Sequence, residues 1–350
     1  MKRSRLWVLR TTALGAGSSL FSRGLPGAGS SRPPRIGICA DVHRDIMWDA
    51  EARLRAFVGE MQRLRPEFVI QLGDFCFPKP QNDTFLRIWN EFLGRRCHVL
   101  GNHEMDSCSK QEIMDYWGMK RNYYSFEAGP FHFIVLDANY LLLDGSYVSY
   151  DHSNYFRHPG ARAHIPTEQL EWLREDLAAT DNPSFVFSHQ SLEHPKGARN
   201  GKAVRAIFEQ ANREAGFAKV AACFSGHHHI DYAVPINGIQ YVQVNSMSYH
   251  WLGEKYAQLD RFGAATDRAF PALRYTAPYR DPLYAVITLD PAGVITIAGK
   301  RSTFVPPTPA DLGYPALQSG HEISARISNR ELAFPGSARR VLDGRSGNRL

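Results

Sequence analysis

Five short stretches of this chain carry side chains able to hold a metal ion or move a proton: Asp41-Val42-His43, Gly73-Asp74, Gly101-Asn102-His103-Glu104, Ser188-His189 and Gly226-His227-His228-His229. Carboxylates, imidazoles and an amide oxygen are hard to borderline donors. They suit Mn, Fe, Zn or Co, and a set without thiolate argues against copper(I) or an iron–sulfur centre. The candidates outnumber what one ion needs. Two ions about 3.5–4 Å apart, sharing a bridging carboxylate, would use such a set, and that pair clamps an in-line displacement at phosphorus. Singly these signals are weak, because a lone D-x-H is common on surfaces and a lone G-D is ordinary turn sequence. In series, each at the end of an apolar run, they reinforce one another.

The elements that must position them alternate along the chain. RIGICADVH, FVIQLGDF, CHVLGNHE, SFVFSH and VAACFSGHHH read as buried strands. Trp48 to Arg65 has helical spacing, with Leu54, Phe57, Val58, Met61 and Leu64 on one face, and Thr84 to Leu93, TEQLEWLREDLAA and Lys202 to Ala215 read as further helices. Ser109 with Glu112 is a capping box. YYSFEAG and FHFIVLDA form a hairpin about Gly129-Pro130, a long polar loop covers roughly 139–166, and IQYVQVNS, LYAVITLD and VITIAG complete the sheets. Strand–helix alternation of this kind makes an α/β fold. In open α/β sheets ligands bind outside the carboxyl ends of the strands, where all five polar stretches fall.

The charge excludes one class of partner. The formal net charge is +6, but residues 1–34 carry six Lys/Arg and no acid, and residues 321–350 carry six Arg against three acids, so the body is left at about −3. No basic footprint for nucleic acid is expected there. The stretch MKRSRLWVLRTTALGAGSSLF joins a cationic start to an apolar, small-residue run, so residues 1–32 read as an export signal and the mature chain as periplasmic or otherwise extracytoplasmic. It resembles a twin-arginine signal, with Arg3-Ser4-Arg5 in place of the paired arginines. That run is too short and too rich in Gly and Ser to span a membrane. The five cysteines show no C-x-x-C spacing, and Cys39, Cys97 and Cys223 lie in apolar runs as small core residues.

The ordered series D-x-H, G-D, G-N-H-E, H and G-H-x-H resembles the calcineurin-like metallophosphoesterase superfamily over about residues 35–300. The resemblance implies a four-layer α/β/β/α sandwich, two mixed sheets flanked by helices, with one catalytic domain over 33–300 and an irregular extension over 301–350. It implies a dinuclear metal centre that hydrolyses phosphomonoesters or phosphodiesters with a bridging hydroxide. Asp41, His43, Asp74 and His229 would hold one metal, and Asp74 as bridge with Asn102, His189 and His227 the other. His103 would stand unligated beside the leaving group as general acid or charge stabiliser. Strand alternation would set His227 and His229 on one face and turn His228 away. The position of the purple acid phosphatase tyrosinate is Phe77, which cannot ligate, and Cys76 beside it reads as packing.

The expected substrate is a small phosphorylated molecule, and His194 and His250, which follow the strand ends at His189 and Asn245, are candidates to touch it. Two alternatives use the same residues. One is cleavage of a nucleotide diphosphate, as in a pyrophosphatase; the other is a metal-binding scaffold without catalysis. A scaffold has no use for the unligated His103.

Overall fold

The structure is a computed structural model that describes residues 33–334; the stretch read as an export signal, residues 1–32, lies outside the described residues, as do residues 335–350. Twelve strands make two six-stranded sheets. They are β1 (Arg35–Cys39), β2 (Phe68–Gln71), β3 (Arg95–His98), β4 (Tyr124–Ala128), β5 (Phe131–Leu136), β6 (Ser184–Ser188), β7 (Val220–Ser225), β8 (Tyr232–Ile236), β9 (Ile239–Gln243), β10 (Ala285–Asp290), β11 (Val294–Gly299) and β12 (Arg330–Ala333). Sheet one runs β12-β11-β10-β1-β2-β3, with β1, β2 and β3 parallel and the other neighbours antiparallel. Sheet two runs β8-β9-β7-β6-β5-β4, with β5, β6, β7 and β9 parallel and the two outer pairs antiparallel hairpins.

The parallel strands are apolar on both faces because both are covered. Phe68–Gln71, Ser184–Ser188 and Val220–Ser225 are buried throughout, as strands clothed on two sides must be. Between the sheets, Ile36, Ile38 and Ile70 of sheet one share a cluster with Phe133, Phe187 and Phe224 of sheet two. The Phe68 ring meets Phe133 edge to face at 4.9 Å and Phe187 at 6.3 Å. The outer face of sheet one packs on α1 (Ala50–Leu64) and α2 (Asp83–Asn90) through Val69, Leu54, Phe57, Met61, Phe85 and Trp89. In sequence order α3 (Lys110–Trp117) follows, opened by the Ser109–Glu112 capping box. The outer face of sheet two packs on α4 (Thr167–Ala179) and α5 (Gly201–Ala215) through Val186, Cys223, Leu173, Leu177, Val204 and Phe208. Helix, sheet, sheet and helix layers follow from these three clusters, as expected. All five cysteines are buried and unbridged.

Two expectations need correction. The loop at 139–166 contains a hairpin, Tyr140–Leu143 with Ser146–Ser149, closed by Asp144-Gly145 at φ 49° and 81°. Asp-Gly with both residues left-handed is the two-residue turn that matches strand twist, so the signal was present in the sequence. Strand β8 pairs with β9 across Asn237-Gly238, at φ 50° and 82°, by the same chemistry.

The boundary at 300 falls too early, because residues 301–334 are built into the fold. Strand β12 completes the edge of sheet one, Ala325, Ile327 and Phe334 enter the core between the sheets, and the Phe334 ring meets Phe185 edge to face at 5.7 Å. Asp231, two residues past His229, accepts from Arg330 Nη1 at 2.6 Å and Nη2 at 3.0 Å and from Ser328 Oγ at 2.6 Å. A four-residue edge strand, RELA, alternates half-buried and exposed positions and leaves almost no periodic trace. Phe334→Ala should therefore cost about 3–5 kcal/mol of unfolding free energy in a denaturant titration. A segment lying outside the core would cost no more than about 0.5 kcal/mol.

Candidate metal centre

The carboxyl ends of β1, β2 and β3 in sheet one and of β6 and β7 in sheet two open on a single rim. The loops after β1 and β2 stay paired beyond the strands, with Asp41 N–H donating to Gly73 O at 3.1 Å and His43 N–H to Asp74 O at 2.9 Å. That pairing puts Asp41, His43 and Asp74 side by side. Asp41, His43, Asp74, His227 and His229 all have left-handed backbones, at φ 51°, 51°, 52°, 74° and 52°. Such a conformation costs a residue with a Cβ on the order of 1–2 kcal/mol, and its concentration at one rim marks a site where geometry outranks stability. Gly101 allows the closest approach: a Cβ there would collide with the Asp74 carboxylate and come within 2.7 Å of Glu104 Oε2.

The donors fall into two groups. Asp41, His43 and His229 form one and Asp74, His189 and His227 the other, each with its donor atoms within 4.8 Å of one another. In the first, His229 Nε2 lies 3.3 Å from both His43 Nε2 and Asp41 Oδ1. In the second, His189 Nε2 lies 3.2 Å from Asp74 Oδ2 and 3.2 Å from His227 Nδ1. Asp74 Oδ2 is also 3.6 Å from His43 Nε2, so this carboxylate stands between the groups. The rings are aimed from behind: His189 Nδ1 pairs with Leu72 O at 2.7 Å and His229 Nδ1 with Tyr249 O at 2.9 Å. Backbone carbonyls on the far nitrogen fix the tautomer that leaves Nε2 as a donor to a cation. Asn102 Oδ1 is buried without a hydrogen-bond partner, which costs free energy unless something binds it.

Burial first, and neighbouring rings after it, hold His43 and His227 well below the usual histidine range, with Asp74 opposing in both. Burial opposes the charge on Asp74, yet His189 and His103 hold its carboxyl well below the usual range. Neutral imidazoles around an ionised carboxylate are the protonation states a cation requires. His189 departs from this pattern: burial pulls it down, but Asp74 pushes it up to about 10, so a cation must compete with a proton there. The donor set, its protonation and the orphaned Asn102 oxygen fit two divalent ions.

The three histidines do not lie on a strand. Strand β7 ends at Ser225, and His227 and His229 are separated into the two groups by their left-handed backbones, so the alternation argument is corrected although the pair it singled out is the pair that joins the groups. His228 points elsewhere, with Nε2 2.9 Å from Ser191 Oγ and its ring 4.1 Å from that of His194.

His103 sits at the rim with its side chain 42% exposed. Its N–H donates to Asp74 Oδ1 at 2.9 Å and its Nδ1 pairs with Asp106 Oδ2 at 2.6 Å, while the buried Tyr150 hydroxyl donates to the other Asp106 oxygen. Burial works against a charge on the ring, but Asp74 and Asp106 outweigh it and push His103 up to about 9. Sequence reasoning missed Asp106 and Tyr150. Asp106 could have been found at helical spacing from His103; Tyr150, on the unexpected hairpin side, had no signal. Glu104, beneath the turn, accepts from Phe75 N–H, and burial together with Asp74 pushes it up to about 8. Cys76 packs against the outer face of sheet one.

Two clefts meet at this rim and share His103, Lys196, His227 and His228. One, of about 420 Å³, is lined by Arg162, Arg199, Tyr150 and Gln190. The other, of about 530 Å³, is lined by Tyr249, His250, Trp251, Tyr314 and Leu317. His250 thus reaches a cleft wall, with Nδ1 3.0 Å from His229 O, and burial lowers it to about 4. His194 lines neither cleft; its Nδ1 accepts from Lys196 N–H at 3.0 Å. A larger cleft of about 690 Å³, bounded by Arg95, Trp117 and Arg121, holds none of the donors.

The sequence profile of the calcineurin-like phosphoesterases matches residues 34–231. No curated protein matches the sequence significantly. Among solved structures, a dimetal phosphatase from Danio rerio is similar, with 19% identity, 78% of this chain and 99% of that chain covered, and a TM-score of 0.56. GAP50, the anchor in the inner membrane complex of Plasmodium, is similar at 12% identity, with 87% of this chain and 89% of that chain covered and a TM-score of 0.47. At 19% identity the likeness to the Danio rerio phosphatase speaks for the fold, while the profile spans more than half of the chain. The chain belongs to the calcineurin-like phosphoesterase family and is a metal-dependent phosphoester hydrolase.

Proposed function

We propose that this enzyme hydrolyses small phosphomonoesters or phosphodiesters by in-line displacement at a dinuclear centre. The observation that carries the reading is Asp74 standing between two donor groups, with His103 tethered at their edge. Asp41, His43 and His229 would hold one ion, and Asn102, His189 and His227 the other, with Asp74 shared. Two divalent ions held there, of which Mn, Fe, Zn and Co suit these oxygens and nitrogens, would activate water as the nucleophile and neutralise charge on the phosphoryl oxygens.

The chain's own residues do the rest. Asp106 engages His103 Nδ1, which leaves Nε2 for the leaving-group oxygen, and the Tyr150 hydroxyl fixes Asp106. A proton delivered there stabilises the departing alkoxide. Leu72 O and Tyr249 O keep His189 and His229 from rotating. This unligated, oriented histidine favours catalysis over a scaffold role. Export of the enzyme is part of the proposal, resting on the reading of residues 1–32, and cell fractionation tests it.

His103→Ala should retain two metal equivalents by mass spectrometry and lose turnover on aryl phosphates by about 10²–10⁴-fold. A variant with wild-type turnover would remove His103 from the chemistry. Asp74→Ala should lose metal from both groups, and two ions retained in that variant would show that Asp74 does not bridge.

A further inference from the structure

The cleft of about 420 Å³ beside His103 is lined by Arg162, Lys196 and Arg199, and by no carboxylate. Among the described residues, none of these three cations makes an ion pair. They come from separate stretches that the fold fastens together. Arg199 N–H donates to Ala163 O at 2.7 Å, Asn200 Nδ2 donates to Ile165 O at 2.7 Å, and Ile165 N–H donates to Asn200 Oδ1 at 3.0 Å. Those bonds hold the segment carrying Arg162 against the segment carrying Arg199.

Lys196 is set just as firmly. Its N–H is taken by His194 Nδ1, Gly197 N–H donates to His194 O at 2.9 Å, and Ala198 N–H donates to Ser191 O at 2.8 Å. A side chain at Gly197 would run into Ser191 O, so the turn admits only glycine. All three side chains are exposed, so water screens their mutual repulsion, and the cleft offers an anion three cations that no carboxylate of its lining neutralises. A second, independent feature points to a ligand in the same cleft. Gln190 is 1% exposed and donates through Nε2 to Asn139 Oδ1 at 2.7 Å, while its Oε1 has no partner. Gln190 lines the cleft, and that oxygen is a buried acceptor left without a partner.

We propose that this cleft is a subsite for a second phosphate-type dianion, carried on the substrate arm that extends past His103, with Arg162, Lys196 and Arg199 binding it and Gln190 Oε1 accepting a hydroxyl of the same arm. The proposal rests on the reading of the adjacent donors as a phosphoester centre. Arginine forks suit phosphate oxygens pairwise, and the lysine adds a point charge. His194 acts through Lys196 as a positioning residue.

Calorimetric titration of the Mn(II)-loaded full chain with 1,3-propylenebisphosphonate and with propylphosphonate tests this directly. The bisphosphonate should bind at least about tenfold more tightly, with an advantage that falls as ionic strength rises. In the Lys196→Ala/Arg199→Ala double variant the advantage should shrink to under about threefold, with propylphosphonate affinity retained. Each single variant should fall between, and a matching thermal melt shows that the fold survives. Equal binding of the two ligands by the wild type, or an undiminished advantage in the double variant, would overturn the subsite. Failure of both ligands to bind the wild type would instead overturn the phosphoester centre and take the subsite with it.

Discussion

The rim depends on one carboxylate reaching across the sandwich. Asp41, at the end of sheet one and fully buried, accepts the backbone N–H of His227, at the end of sheet two, at 3.1 and 3.0 Å through its two oxygens. A buried carboxylate must be hydrogen-bonded or paired, and this bond satisfies it while fixing the distance between two loops that share no strand pairing. A Cβ at Gly226 would stand 2.7 Å from Asp41 Oδ2. The glycine before the histidines therefore serves contact between the loops. Ser246 Oγ–H, donating to Asp41 O at 2.8 Å, and Met247 N–H, donating to Ala40 O at 2.8 Å, hold the same loop from the far side.

Much of this was legible in the sequence, for a definable reason. Asp41, His43, Asp74, Asn102, His103, His189, His227 and His229 each follow a run of apolar residues, and a polar, metal-capable residue there is costly unless it serves something. The layers were legible because buried parallel strands and amphipathic helices have different periods. What escaped depended on contacts distant in sequence. Tyr150 reaches Asp106 from 44 positions away, and the Asp231–Arg330 pair spans 99. The left-handed backbones of His227 and His229 carry no compositional mark, so a strand period was read into residues that had already left the strand. His194 was singled out by proximity to His189, whereas the structure gives it a turn to hold.

Electrostatics at the rim push neighbouring groups in opposite directions. Asp74 is a single carboxylate facing His43, His103 and His189, and it pushes the pKa values of His103 and His189 up while burial pulls His43 down. The same residue type, within a few ångströms, is thereby pushed in opposite directions.

The wall of the aromatic cleft has a different origin from the bowl of donors. Tyr314, Pro315, Leu317 and Gln318 belong to the chain beyond 300, whereas the family profile ends at 231. That wall is moored by strand β12 and by Gln318 Nε2 donating to His228 O at 3.1 Å. The lining of this cleft can therefore be altered through loop residues that no metal donor leans on. The constraint lies at the moorings: Asp231 and His228 flank the donor His229, so drift there would disturb the chemistry along with the preference. Such an arrangement allows one hydrolytic bowl to carry different walls, provided the fastenings stay where they are.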